Sequence, residues 1–306
     1  MVGSKRVNEM IESDEQTLQL MVFIVAGGHF GINVAKVSEI MKYGQYPITP
    51  MPNSNPFVEG IFRPRTETMT VINLAAYMGL PPSEDENTDI LIITKLNSVE
   101  TAFHVHGVDA IESVKMSDIE KPDSTIYGGE DGMATGIAKH GDKLITIIDF
   151  EKILIDISPN IGFTPSDIDK LGMRARSAKP ILIAEDSPLL ERLIISSLEK
   201  AGYVNIICTS NGQEAWQTLD SYKTSGKPIE EHVCAVITDI EMPLMDGHRL
   251  LKLIKDDAVL RKVPVLIFSS LITEDNRAVG TGLGAVANIS KPEIANLVTI
   301  LDQHIL

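Results

Sequence analysis

Five side chains carry most of the reactive potential of this 306-residue sequence: Glu185, Asp186, Asp239, Ser269 and Lys291. Each stands at the end of a short apolar run. Ile181–Ala184 leads into Glu185-Asp186, Cys234–Thr238 into Asp239, Val263–Phe268 into Ser269-Ser270, and Val286–Ser290 into Lys291-Pro292. Three carboxylates crowded on one patch repel unless a cation joins them. An all-oxygen set suits Mg²⁺, which keeps several waters and shares its shell with phosphate. A neighbouring lysine pairs with phosphate as a point charge, and a serine hydroxyl donates to a phosphoryl oxygen. Positioning and charge neutralisation of this kind carry phosphoryl transfer. An aspartate can also be the nucleophile and form an aspartyl-phosphate. A single acid at a strand end is ordinarily a solvated turn residue. The full set, one member or pair on each of four strand ends, is not explained that way.

The elements that must position these groups alternate between strand and helix from Pro180 onward. Ile181–Ala184 has the unbroken apolar character of a strand buried on both faces. Ser187-Pro188 supplies an N-cap and a proline for the first helical position. That helix is predicted to reach about Lys200 and stop near Gly202. Strands follow at 205–209, 234–238, 263–269 and 286–290. Helices follow at 212–219, 249–255, 274–280 and 293–304. Five such units predict a doubly wound parallel sheet, an α/β fold whose ligand site lies beyond the carboxyl ends of the strands.

The first half has another texture. Apolar runs with turns between them occur at 18–25, 58–62, 69–72, 90–95, 101–105, 136–139 and 144–148. His140-Gly141-Asp142 joins the last two as a hairpin. Pro47, Pro50, Pro52 and Pro56 exclude helix or central strand between them. Short strands at this spacing predict a barrel or a sandwich. A faint repeat runs through them. Gly60-Ile61 and Thr70-Val71-Ile72-Asn73-Leu74 recur at the same interval as Gly136-Ile137 and Thr146-Ile147-Ile148-Asp149-Phe150, and Phe30 and Phe103 open similar strands. Each copy leads into a short helix, at 74–78 and 150–155. Residues 1–16 read as a tail, 17–156 as the β domain, 157–178 as a linker and 179–306 as the α/β domain. Within the linker, Ser166 could cap a helical turn or two through Leu171.

Composition narrows the function. With 43% hydrophobic residues the chain can bury ordinary cores. Its net charge of −15, with no basic stripe, excludes nucleic acid and anionic membrane surfaces as partners. No apolar run is long enough to span a bilayer, and the amino terminus lacks the apolar core of a signal peptide. A cytoplasmic location is expected. Cys208 and Cys234 sit inside apolar runs and read as small buried hydrophobes.

Residues 179–306 resemble the receiver domain of two-component signalling, with its flavodoxin-like fold. The resemblance rests on Glu185-Asp186, on Thr238-Asp239-Ile240-Glu241-Met242-Pro243-Leu244-Met245-Asp246-Gly247, on Ser269 and on Lys291. It implies that Asp239 accepts a phosphoryl group from a kinase phosphohistidine. It also implies that Glu185, Asp186, Asp239 and the backbone carbonyl of Glu241 hold Mg²⁺, while Ser269 and Lys291 contact the phosphoryl group. The switch position, often aromatic in that family, is Asn288, which departs from the usual coupling with the hydroxyl residue. Glu241 and Leu271 occupy positions that tune hydrolysis in the family.

Residues 17–156 resemble the CheW-like coupling domain of bacterial chemotaxis. The stretches that carry this are Gly28-His29-Phe30-Gly31-Ile32-Asn33-Val34, Ile48-Thr49-Pro50-Met51-Pro52, Val58-Glu59-Gly60-Ile61-Phe62 and Val71-Ile72-Asn73-Leu74. That family implies a pair of five-stranded SH3-like barrels. Of its Asn-Leu-Arg-Gly pattern only Arg65 keeps its place, on a partner-binding surface in relatives. A coupling domain joined to a receiver is the arrangement of the CheV family. It implies a non-enzymatic adaptor between the cytoplasmic tails of chemoreceptors and the histidine kinase CheA, held at receptor arrays on the inner face of the membrane and regulated through Asp239. The alternatives are an aspartate-nucleophile phosphatase and a stand-alone response regulator of another pathway.

Three further features read as structural. His104-Val105-His106 places two histidines on one strand face with no third ligand, a solvated face. Gly128–Gly132 lacks the lysine and helix of a phosphate loop. Trp216 is spaced with Ala215 and Leu219 for packing.

Overall fold

Strand pairing in this computed structural model, which describes residues 17–97, 99–120, 132–158, 164–172 and 174–305, defines three sheets. The described residues divide into two units, one of residues 17–158 and one of residues 164–305.

The first unit holds β1 (Thr17–Val25), β2 (Gly28–Asn33), β3 (Val37–Lys42), β4 (Val58–Phe62), β5 (Met69–Asn73), β6 (Ile90–Leu96), β7 (Val99–Val105), β8 (Gly107–Lys115), β9 (Ile119–Glu120), β10 (Ala134–His140) and β11 (Lys143–Ile148). Two short helices, α1 (Leu74–Met78) and α2 (Phe150–Ile157), follow β5 and β11. One sheet runs β8-β1-β2-β11-β10-β9 and the other β3-β6-β7-β5-β4. In the first, the edge strands β8 and β9 are joined by a single 3-10 turn at Met116–Asp118, so the chain itself links the two edges and rolls the sheet up. In the second, Met41 of one edge and Phe62 of the other meet in one apolar cluster with Val71, Leu91, Ile93 and Ala102. The two rolled sheets are the expected pair of barrels, one of five strands and one of five plus a short sixth. The extra member is the two-residue β9, too short to leave an apolar run in the sequence.

The repeat has a structural basis. The β4–β5 hairpin has a register shift at Val58/Gly60 and the β10–β11 hairpin one at Ala134/Gly136. The following helices are capped alike: the Asn73 side chain accepts from Ala76 N and the Asp149 side chain from Lys152 N. Phe30 and Phe103 are not equivalent, however. Thr70 lies opposite Thr101 and Thr146 opposite Phe30, so Phe30 matches Thr101. Another cluster, with Phe23, Ile32, Ile72, Ile92, Phe103 and Phe150, joins the two rolled sheets.

The second unit holds β12 (Ile181–Ala184), α3 (Pro188–Lys200), β13 (Ile206–Thr209), α4 (Gly212–Lys223), β14 (Ala235–Thr238), α5 (Gly247–Asp256), β15 (Val265–Ser269), α6 (Glu274–Leu283), β16 (Ala287–Ser290) and α7 (Ile294–Ile305). The sheet is parallel in the order β13-β12-β14-β15-β16. The reversal beside β12 is the doubly wound topology expected. All residues of β12, β14 and β15 are buried, which is why these strands read as unbroken apolar runs. Trp216 is partly buried and packs on the core cluster that contains Leu219 and Met245, as its spacing implies.

Four local expectations change. The 3-10 helix Pro165–Leu171 starts behind Thr164, not Ser166, and Thr164 N donates to the Asp167 carboxylate at 2.9 Å. Residues 164–178 are tied to the second unit: Arg174 donates to Ala201 O at 2.8 Å and pairs with Asp302, and Ser177 bridges Tyr203. The two cysteines are free and half-buried, Cys234 lying just ahead of β14. His104 is buried within β7 and His106 lies past the end of that strand, so the two do not share a solvated strand face. The glycine-rich 128–131 and the tail 1–16 lie outside the described residues. Among those described, no helix is long and apolar enough to cross a membrane.

Candidate functional site

Sheet register builds the site. Ala184 pairs with Thr238, so the next residues, Glu185 and Asp239, emerge side by side. Asp239 N donates to Ala184 O at 3.0 Å and Glu185 N to Thr209 O at 3.0 Å, which fixes where both chains leave the sheet. Ser269 pairs with Ser290, and Lys291 N donates to Ser269 O at 3.2 Å. The lysine thus starts at the far edge of the sheet, and its long stem reaches back across.

Its ammonium ends between two carboxylates. Lys291 Nζ lies 2.7 Å from Asp239 Oδ2 and 3.1 Å from Glu185. All three side chains are buried, with Lys291 only 1% exposed. Carboxylate oxygens of Glu185, Asp186 and Asp239 lie within 4.8 Å of one another, with Asp186 half-buried. Asp239 Oδ1 accepts from Ile240 N at 2.6 Å, so both oxygens of this carboxylate are held by donors. An isolated buried ion pair is costly to desolvate. Here one buried cation faces three acids, and the donor set is all oxygen. Those residues fit a hard divalent cation.

The loop after Asp239 is shaped by its own sequence. Leu244 takes the left-handed conformation, with φ 66°. Asp246 caps α5, accepting from Arg249 N at 2.8 Å. Gly247 must lack a side chain, since a Cβ there would sit 1.9 Å from Asp239 O. The Asp246-Gly247 pair is a turn device and not a third ligand group. Glu241, half-buried, lies in this loop between the buried Ile240 and Met242.

Ser269 is buried at the end of β15, the strand next to Asp239's, and its hydroxyl accepts from Leu271 N at 3.2 Å. Asn288 is directed to α6 and not to the carboxylates. Its Nδ2 donates to Thr281 Oγ1 at 3.2 Å, and a Cβ on Gly280 would come within 2.2 Å of its Oδ1. Arg65 belongs to the other unit, in the β4–β5 turn, 73% exposed and paired with Glu39 at 2.9 Å.

Sequence reasoning missed a second buried ionic cluster, in the first unit. His104 Nδ1 lies 2.7 Å from Glu59 and Nε2 2.9 Å from Asp89. Tyr43 stacks on the imidazole at 3.8 Å, and its hydroxyl donates to Glu59. Asn73 also donates to Glu59, and Ser83 to Asp89. With a carboxylate on each nitrogen, both nitrogens donate and the ring is an imidazolium. Burial opposes that charge, but Glu59 and Asp89 outweigh it and hold the His104 pKa above its ordinary value. Burial likewise opposes ionisation of Glu59, yet the His104 bond wins and lowers its pKa. Burial and then Glu59 push the Tyr43 phenol up to about 12. The only sequence signal was His104 itself, because its partners come from three distant segments.

Comparison with known proteins now adds a class to this geometry. Residues 19–158 match the CheW-like domain family and residues 181–302 the response regulator receiver domain family. The chain therefore carries a CheW-like coupling domain fused to a receiver domain. It is similar over nearly its whole length to chemotaxis protein CheV3 of Helicobacter pylori, 29% identical over 95% of this chain and 94% of that one. Chemotaxis protein CheV1 of the same organism is 26% identical, covering 100% of this chain and 98% of its own. Among solved structures, the scaffolding protein TtCheW of Thermoanaerobacter tengcongensis is 26% identical over 43% of this chain and 88% of its own, with a TM-score of 0.39.

Proposed function

We propose that this protein is a chemotaxis adaptor whose CheW-like domain couples chemoreceptor tails to the histidine kinase CheA, and whose receiver accepts a phosphoryl group on Asp239. The observation that supports it is the buried set of Glu185, Asp186, Asp239 and Lys291, joined in one chain to a CheW-like domain. In this reading the protein is a phosphoacceptor and not an enzyme acting on other substrates. It works in the cytoplasm, at receptor arrays.

The residues divide the chemistry. Ile240 N and Lys291 Nζ orient the Asp239 carboxylate for in-line attack. A carboxylate oxygen of Asp239 forms the new P–O bond as the P–N bond to the kinase histidine breaks, and the departing imidazole nitrogen keeps that electron pair. Glu185, Asp186, Asp239 and the Glu241 carbonyl would hold Mg²⁺, which would neutralise charge on the phosphoryl oxygens. Ser269 accepts from Leu271 N, and its hydroxyl would donate to a phosphoryl oxygen. Lys291 exchanges its bond to Asp239 for one to the phosphoryl group. Arg65, exposed on the β4–β5 turn, contributes to the partner surface.

Acetyl phosphate with and without Mg²⁺ tests the receiver half by intact mass. A single phosphoryl adduct that needs Mg²⁺, is labile to base and is absent from Asp239→Ala is expected. An adduct that persists in Asp239→Ala contradicts the assignment. Capture of CheA or of a receptor tail by the immobilised chain tests the adaptor half, and binding of neither contradicts it.

A further inference from the structure

The acceptor loop has a neighbour that neither the receiver resemblance nor the carboxylate chemistry calls on. It is the β13–α4 turn, where Asn211 caps α4 and Gly212 opens it. Asn211 is fully buried, and its Oδ1 accepts from Glu214 N at 2.9 Å. Glu214 in turn accepts from Ser210 N at 3.0 Å. The first turn of α4 is thereby tied on both sides. Gly212 N, one of the amides a helix start leaves without an internal partner, donates to Met245 O at 3.1 Å. The approach is so close that a Cβ on Gly212 would lie 2.6 Å from Met245 O and 3.2 Å from its carbonyl carbon. Those are backbone atoms, so no rotamer change relieves the contact.

The loop that receives this clamp is stiff. Met245 N donates to Pro243 O at 2.7 Å and Gly247 N to Ile240 O at 2.9 Å. Ile240, Met242 and Met245 are all buried. A displacement at Met245 would therefore be carried along the loop toward Glu241.

We propose that Gly212 is a positioning residue for the acceptor loop: by lacking a side chain it lets α4 clamp Met245, and this sets the Glu241 carbonyl that completes the cation site. The proposal rests on the reading of Glu185, Asp186 and Asp239 as a Mg²⁺ site. It adds a residue on a different strand-helix turn, one that touches neither metal nor phosphate. Gly212→Ala pushes on Met245 while leaving the three carboxylates in place. Loss of an outer partner of a metal site typically weakens binding by about 10–100-fold, and the lower end, roughly 10-fold, is expected here.

The test is a Mg²⁺ titration of the full chain, read by calorimetry, with the fluorescence of Trp216 on α4 as a second signal. Gly282→Ala is the control, since a Cβ at Gly282 of α6 meets nothing within 4 Å. Wild type and Gly282→Ala are expected to bind alike, and Gly212→Ala roughly 10-fold more weakly with unchanged far-UV circular dichroism. Exchange of the Gly212 amide in the wild type supplies a readout that needs no variant. Because coupling is reciprocal, Mg²⁺ is expected to slow it. Equal affinity in Gly212→Ala, or exchange that ignores Mg²⁺, overturns the proposal alone. A wild type that binds no Mg²⁺ overturns both the proposal and the reading beneath it.

Discussion

Each unit buries one cation between two carboxylates, yet the two arrangements differ in what they leave over. In the CheW-like domain, His104 bonds Glu59 and Asp89, and the remaining carboxylate capacity is taken up by Tyr43, Asn73 and Ser83. Tyr43 also closes one face of the ring. In the receiver, Lys291 bonds Glu185 and Asp239 while Asp186 adds a third carboxylate, half-exposed, within reach of both. The first cluster is shut by neutral donors that match its acids. The second sets three acids against its one cation, where the first sets two, and opens to solvent through Asp186. Burial and charge alone do not set the two clusters apart; the third carboxylate and the opening to solvent do.

This contrast can be broken most forcefully at Lys291. Removing one partner from a buried ionic group costs about 3–5 kcal/mol because the other charges stay buried. Lys291→Met is expected to lower the stability of the receiver by that order in chelator. Mg²⁺ should restore much of it, since the carboxylates then have a cation again. Chemical denaturation followed by Trp216, the single tryptophan and a reporter of the second unit only, measures both. A variant as stable as wild type in chelator would show that the ion pairs carry no weight.

His104→Gln should cost somewhat less, roughly 3 kcal/mol, because Glu59 is 19% exposed and partly rehydrates. No Mg²⁺ rescue is expected, because Tyr43, Asn73 and Ser83 still hold the Glu59 and Asp89 oxygens. The Trp216 transition should not move, while the far-UV transition of the first unit does.

Titration separates the clusters further. The His104 pKa is raised on folding, so its stabilisation is complete below the ordinary histidine pKa of about 6.5 and is lost as pH rises through the folded value. The Glu59 pKa is lowered, so its share is present above the ordinary glutamate range and lost as pH falls through its folded value. The CheW-like unit is expected to be most stable between these limits and to weaken on the alkaline side. His104→Gln should flatten the alkaline limb. A limb unchanged by that substitution would place its origin elsewhere.

The smallest stability effect is expected at Arg65. Its pairing with Glu39 is solvent-exposed, and such pairs contribute about 0–1 kcal/mol. Arg65→Ala should leave the thermal midpoint nearly unchanged while weakening capture of a partner. An equal loss of folding and of capture would make Arg65 a structural residue.

The contrast also explains what the sequence disclosed. Glu185, Asp186, Asp239 and Lys291 were legible because parallel strands end on one side of the sheet, so apolar runs followed by polar residues reveal which groups converge. Val58–Phe62 and Ile181–Ala184 were legible as strands because their buried faces leave apolar runs. Val37–Lys42 and Gly107–Lys115 were not, since their polar outward residues interrupt any such run. The His104 cluster stayed hidden for a different reason. Its partners, Tyr43, Glu59 and Asp89, come from segments that only the rolled sheet brings together. The clamp of Gly212 on Met245 was invisible likewise, because a glycine at a helix start has commoner explanations than a close backbone approach.

The most direct measurement mixes the full chain with CheA labelled on its phosphohistidine and follows the label. Rapid, Mg²⁺-dependent transfer to the peptide that contains Asp239 is expected, with none in chelator or in Asp239→Asn. Label that remains on the kinase, or that reaches the Asp239→Asn chain equally well, would contradict the assignment of Asp239 as the phosphoacceptor.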